Sequence, residues 1–267
     1  MSGINLYDFQ LEAVKKMHNG CILCGDVGSG KSRTSLAYYC LQQNRSGDKT
    51  VYGKIPQKIE DLYIITTARK RDTFEWDSEL ANFRMSTDPE NDAFKHSVII
   101  DSWNNIQKYK DIRGAFFIFD EQRVVGRGEW VKSFLKIAKA NHWILLSATP
   151  GDKWEDYIPV FVANGFYKNR TQFSNEHIIW DPRVSFPKVR GYFNTNRLIR
   201  LRDQVLVQMD DQRTTIPHHE DVFVAYDISA YRNLTRTRWN PWLEKPIETA
   251  SELCYAWRKV VNSDDSR

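Results

Sequence analysis

The sequence has no uninterrupted apolar run near the roughly 18 residues that a helix needs to cross a bilayer, so no membrane span and no membrane partner is expected. Its first residues, Met1-Ser2-Gly3-Ile4-Asn5, lack the basic region and apolar stretch of a signal peptide. Cysteine is scarce. Four residues (Cys21, Cys24, Cys40, Cys254) cannot build a disulfide framework, and a reduced, cytoplasmic setting is the expectation. Cys21-x-x-Cys24 invites a zinc or redox reading, but residues three apart on a strand point to opposite faces, and Cys40 and Cys254 complete no second pair. Both read as small core residues. The six histidines form no ligand pattern, and His218-His219 follow Pro217 as in a linker turn. There is no internal repeat and no low-complexity tract. The net charge of +4 is compatible with nucleic-acid binding without requiring it.

What is present supports a sizeable core: 41% of residues are hydrophobic and 13% aromatic. Short apolar runs at Cys21–Cys24, Leu62–Thr66, Val98–Ile100, Phe116–Phe119 and Trp143–Leu146 are bounded by turn residues and are too short for helices. Helical patterns lie between them, at Ser32–Leu41, Trp130–Ala140 and Arg69–Phe83, where Trp76, Leu80 and Phe83 share one face. Strands alternating with helices imply an α/β fold with a central parallel sheet covered on both sides. Gln42–Asp61 is a polar insert holding Gly47, Gly53 and Pro56, and reads as an exposed loop. Beyond about residue 165 helical patterns dominate, at Asn194–Val207, Ser229–Arg236 and Ile247–Val261, with one strand-like run at Asp221–Tyr226. The expected organisation is an α/β lobe over residues 1–165 and a helical appendage and linker over residues 166–267. Charge is unevenly placed: Pro182–Arg202 holds six basic residues (Arg183, Lys188, Arg190, Arg197, Arg200, Arg202) and no acidic one.

Gly25-Asp26-Val27-Gly28-Ser29-Gly30-Lys31-Ser32 fits the phosphate-loop pattern G-x-x-x-x-G-K-[ST]. The glycines let the backbone curl so that successive amides face phosphate oxygens. Lys31 supplies a charge to the β- and γ-phosphates, the Ser32 hydroxyl ligates Mg²⁺, and the helix that follows directs its positive end at the nucleotide. A strand before the loop and a helix after it argue against an incidental glycine-rich turn. Hydrolysis also needs an acid for Mg²⁺ and a base for water. Phe116–Phe119 is an apolar strand ending in Asp120-Glu121, at the carboxyl end where ligands bind in open α/β sheets. Asp120 would hold Mg²⁺ and Glu121 would polarise water. Thr66, Thr67, Arg69, Lys70 and Arg71 follow one strand at that same edge, and Ser102 and Trp103 follow the next; these are the candidate nucleic-acid contacts.

These residues resemble the first RecA-like lobe of superfamily 2 helicases and translocases, in the Swi/Snf-like branch. Leu6-Tyr7-Asp8-Phe9-Gln10 is similar to the Q-motif, whose glutamine reads adenine. Gly25–Ser32 is similar to motif I, Thr66–Leu80 with Trp76 to motif Ia, and Val98–Trp103 to motif Ib. Asp120-Glu121-Gln122-Arg123 is similar to motif II, and Ser147-Ala148-Thr149-Pro150 to motif III. The run up to Thr215-Ile216-Pro217, then Asp221–Tyr226 and Asp227-Ile228-Ser229, resembles the linker to a second lobe, and Val260–Asp264 is similar to compact bacteriophage-encoded helicases, which would place the chain in a host cytoplasm.

The resemblance implies a DNA-dependent ATPase using ATP and Mg²⁺, acting on double-stranded rather than single-stranded DNA, with Ser147 and Thr149 coupling hydrolysis to movement. Two departures stand out. The family usually has His or Asp at the fourth position of motif II, where this chain has Arg123, a donor that cannot accept and is always charged. The chain also ends at Arg267, where the second lobe would begin, so a second RecA-like lobe in cis or in trans is the expected partner, and the chain is expected to be a fragment or one half of a split motor. A nucleotide- or DNA-binding module without turnover of its own is the alternative. A kinase or ring-forming ATPase fits the placement of Gln10 and Ser147-Ala148-Thr149 less well.

Overall fold

The computed structural model describes residues 5–43, 59–92, 96–120, 124–210, 220 and 225–262. By its internal contacts the chain divides into two units, Met1–Gln212 and Arg213–Arg267. The expected boundary at residue 165 falls inside the first of them.

In the first unit, α1 (Asp8–Lys16) leads into β1 (Ile22–Cys24), α2 (Lys31–Gln43) and β2 (Leu62–Thr66). Two short helices, α3 (Ala68–Asp72) and α4 (Glu75–Asn82), precede β3 (Val98–Ser102) and a 3₁₀ turn, Trp103–Tyr109. β4 (Phe116–Asp120), α5 (Glu129–Ala138) and β5 (His142–Ser147) complete the alternating part. Then come a 3₁₀ turn (Trp154–Tyr157), α6 (Ile158–Ala163), α7 (Arg170–His177), β6 (Ile178–Trp180), β7 (Val189–Tyr192), α8 (Thr195–Val205) and β8 (Leu206–Gln208).

Six strands form one parallel sheet in the order β3-β2-β4-β5-β1-β8, and β6 pairs with β7 as a separate antiparallel ribbon. β1, β2 and β4 are buried along their whole length because both faces are covered. Side chains alternate between two cores. Phe117, Phe119, Trp143 and Leu145 point into one, with α5, α6 and α7; Phe116, Ile118, Ile144 and Leu146 point into the other, with α1, α2 and α4.

The five expected strands are all present, each within two residues of its reading, and the expected helices at Ser32–Leu41 and Trp130–Ala140 are α2 and α5. Arg69–Phe83 is not one helix. It breaks at Phe74, which adopts a left-handed backbone with φ 56°, while Trp76, Leu80 and Phe83 keep their shared buried face. The helical pattern across Asn194–Val207 also ends early. The chain leaves α8 at Val205 and enters β8, a sixth strand that pairs in register with β1, Ile22 opposite Leu206 and Cys24 opposite Gln208.

The second unit holds α9 (Ile228–Thr237), a two-residue ribbon of β9 (Trp239–Asn240) and β10 (Lys245–Pro246), and α10 (Ala250–Val261). Leu234, Ile247, Leu253, Ala256 and Val260 make its core, and Tyr231 stacks on Trp257 with centroids 5.5 Å apart. α10 starts in a capping box, in which Thr249 accepts from the Glu252 amide at 3.2 Å. Residues 215–217 and most of the strand-like run at Asp221–Tyr226 lie outside the described residues.

Candidate nucleotide site

β1 delivers the chain to Gly25, whose amide donates to the Ser147 carbonyl on β5 at 3.3 Å. A side chain at Gly25 would meet the Ser29 hydroxyl at 2.7 Å, so Ser29 would have to shift to admit one. Gly28 and Gly30 take φ values of 86° and 80°, the left-handed turn that curls the loop. Its crest, Asp26, Val27 and Gly28, faces solvent, while Gly25 and Ser29 anchor it below. Lys31, the first residue of α2, reaches back over the loop, its ammonium donating to the carbonyls of Gly25 and Asp26 at 2.8 Å each. Ser32 follows half-buried on the first turn of α2.

Gln10 lies under this loop and is 3% exposed. Its Oε1 accepts from the Tyr7 amide at 3.0 Å and its Nε2 donates to the Ser29 carbonyl at 3.1 Å. Gln10, assigned to adenine by resemblance, braces the start of α1 against the phosphate loop.

Strand register sets the rest of the site. Cys24 pairs with Ser147 and Asp120 with Leu146, so the phosphate loop, the motif II acid and motif III leave the sheet at one edge. Ser147 is buried and its Oγ accepts from the Thr149 amide at 3.1 Å, fixing the turn that carries the exposed Thr149. Asp120 is 1% exposed. A single oxygen, Oδ2, accepts from Thr66 Oγ1 at 2.8 Å, Lys70 Nζ at 3.0 Å and Trp76 Nε1 at 3.0 Å. The Asp120 carbonyl accepts from the Trp103 indole at 2.9 Å. Hydrogen bonds of this kind offset the cost of burying a polar side chain.

The side chains read as nucleic-acid contacts are placed around this web. Thr66, Lys70 and Trp103 turn inward onto Asp120, and Ser102 is buried. Arg71 pairs with Asp101 at 3.2 Å and Asp72 at 2.8 Å, and Thr67 caps α3 by accepting from the Lys70 amide at 3.3 Å. Arg69 alone of the seven is exposed. Trp76, read as a core residue, proves also to be a ligand of the motif II acid. The signal was its indole N–H, which needs a partner when buried. Glu121 and Arg123 lie outside the described residues.

The residues present fit a magnesium-bound nucleotide. Among the described residues no group of three or more His, Cys, Asp or Glu side chains converges as a self-sufficient metal centre. Mg²⁺ needs none, because it is commonly held by one or two protein oxygens together with phosphates and water. Ser32 and Asp120 would supply those oxygens, and Mg²⁺ would contribute charge neutralisation at the phosphates. The cysteines play no part here: burial pushes the Cys21 thiol up to about 12, and it raises that of Cys24 as well.

No protein-family model and no curated protein matches this sequence. Among solved structures, the fold is similar to the Sulfolobus solfataricus SWI2/SNF2 ATPase core in complex with double-stranded DNA, with a TM-score of 0.56 at 14% identity over 76% of this chain and 44% of that one. The Pyrococcus furiosus Hef helicase domain is more distant, with a TM-score of 0.40 at 16% identity over 65% and 40%, and adds nothing to the first likeness. The chain spans less than half the length of either structure. Among the described residues no helix is long and apolar enough to cross a membrane. With its six-stranded parallel sheet, the chain has an α/β fold similar to that of the SWI2/SNF2 ATPase core.

Proposed function

We propose that this chain is the ATP-binding and ATP-hydrolysing lobe of a cytoplasmic DNA-dependent ATPase, a helicase or double-stranded DNA translocase, completed by a second RecA-like lobe in cis or in trans. The observation that carries the reading is the shared sheet edge. There the loop Gly25–Ser32, Asp120 and Ser147 come from three parallel strands in aligned register. In this reading Lys31 and the loop amides hold the phosphates, and Ser32 and Asp120 hold Mg²⁺. Glu121 orients water, and Arg123, Ser147 and Thr149 link hydrolysis to movement.

Dependence on DNA is supported by the contacts of Asp120. Thr66 ends β2, and Lys70 and Trp76 come from the segment following it, so a shift in that segment would be felt directly at the magnesium-binding acid. Duplex DNA is the partner in the similar archaeal structure and is the partner proposed here. A second lobe is part of the proposal because a cation closing on the γ-phosphate from outside the loop contributes roughly 10³–10⁵ in rate in related chemistry.

The test is ATP hydrolysis by the chain, with and without duplex DNA, alone and with a second lobe added. Slow turnover that DNA and the added lobe accelerate, and that Lys31→Ala abolishes, is the expected result. Nucleotide binding with no turnover under any of these conditions would reassign the chain as a binding module. Failure to bind Mg²⁺-ATP would overturn the reading altogether.

A further inference from the structure

Beside the ribbon of β6 and β7 lies a cavity of about 680 Å³, none of whose lining residues belongs to the nucleotide loop. Arg127, Lys153, Arg170, Lys188 and Arg190 line it, against the one carboxylate of Glu155. That carboxylate is already engaged, accepting from the Tyr192 hydroxyl at 3.1 Å with the Arg170 guanidinium at 3.7 Å. Among the described residues Arg127, Lys153, Lys188 and Arg190 form no ion pair. Two other cations of the basic stretch do have partners: Arg197 pairs with Glu176 at 2.8 Å and lies over Tyr167, and Arg202 pairs with Asp203 at 2.9 Å and lies over Trp154. Burial, and then the neighbouring charge of Arg127, lowers the Arg170 pKa, as expected where cations crowd.

A cavity with this surplus of positive charge favours an anion, and its rings narrow the choice. Trp180, from β6, is 41% exposed on the cavity wall. Lys188, just before β7, and Arg190 and Tyr192, on β7, all line the cavity, so this edge brings two cations and a ring to it. Aromatic faces interleaved with backbone-tracking cations are the chemistry of single-strand recognition. A duplex keeps its base faces inside the stack and would engage the cations alone.

We propose that this cavity is a single-stranded nucleic-acid site, with the phosphodiester backbone held by Lys188 and Arg190 and an unpaired base stacked on Trp180. It rests on the function proposed above only in taking nucleic acid as the partner.

The test is titration of the full chain with labelled single strands, deoxy and ribo, and with a duplex of equal length, across a range of salt. Lys188→Ala/Arg190→Ala is expected to weaken single-strand binding on the order of tenfold and to make its log–log salt slope shallower by about 1.4. Trp180→Ala is expected to weaken it about fivefold to a hundredfold with little effect on duplex, and Trp180→Phe to restore most of the loss. Unchanged Mg²⁺-ATP binding in each variant shows that the fold is intact. Single-strand affinity that survives both changes would overturn the site. So would equal losses for duplex and single strand with Trp180→Ala silent, which describes a plain cationic surface. Binding of no nucleic acid by the unaltered chain would overturn both the site and the DNA dependence proposed above, while Mg²⁺-ATP binding abolished by Lys31→Ala would leave the nucleotide reading standing.

Discussion

At the scale of single residues, the nucleotide loop is held by a contact that its consensus does not mention. A Cβ on Gly30 would stand 2.3 Å from Gln10 Nε2, and the residue already sits at φ 80°. Gly30→Ala therefore carries two penalties, a left-handed alanine and a collision with the brace. Together these amount to about 2 kcal/mol, or roughly 5 °C in Tm for a unit of this size. Adding Gln10→Ala removes the collision and leaves the backbone strain, so the double variant is expected to be more stable than the sum of the two single changes. Strict additivity in thermal melts would show that the brace is not where the structure has it. That the loop, Asp120 and Ser147 leave the sheet at one edge was legible in the sequence, because each follows a short apolar run read as a parallel strand. The brace at Gln10 and the indole of Trp76 on Asp120 were not, because they join residues 19 and 44 positions apart that only the sheet brings together.

At the scale of elements, the short pieces following β2 and β3 are organised around Asp101. Its carboxylate accepts from Arg71 at 3.2 Å, Asn105 at 2.8 Å, the Tyr109 hydroxyl at 2.7 Å and the Ser102 amide at 2.7 Å, tying α3 and the 3₁₀ turn to β3. Burial pushes this carboxyl up, but the donors Asn105, Tyr109, Ser102 and Arg71 outweigh it and hold it below the ordinary carboxylate value. A depressed folded pKa stabilises the fold above the unfolded value of about 4, and the contribution disappears as pH falls through the folded value. Asp101→Asn is expected to cost about 1–3 kcal/mol at neutral pH, and the gap from the native chain should narrow as the pH drops below about 4. A gap in Tm that stays constant from neutral to acid pH would show that the charge of Asp101 is not what ties these pieces together. Sequence periodicity located the apolar face of Trp76, Leu80 and Phe83 but not the break at Phe74. Nothing in the local pattern requires a phenylalanine to adopt a left-handed backbone; the turn is imposed by tertiary placement of α3 and α4.

At the scale of the whole molecule, alternating strands and helices were enough to read a parallel α/β lobe, since most of the apolar runs are strands buried on both faces. The extent of the lobe was not legible. β8 is three residues long and follows α8 without a break, so the helical period runs into it and conceals it. Yet β8 covers the free edge of β1, the strand that leads into the phosphate loop, and the Met209 amide donates to the Cys24 carbonyl at 2.7 Å. The segment between residues 166 and 212 also supplies Tyr167, Phe173, Leu198 and Val205 to the same core as Phe117 and Phe119, each of them 1% exposed or less. Losing one buried aromatic costs about 3–5 kcal/mol, against a total stability of about 5–15 kcal/mol for a domain. A chain ending at residue 165 would lose two such aromatics and the edge strand together. It is therefore expected to aggregate or to lack a cooperative melt, whereas a chain ending at Gln212 should unfold cooperatively and still bind Mg²⁺-ATP. A stable, nucleotide-binding product from the shorter chain would mean that β8 and the segment before it are appended to the lobe instead of being part of it.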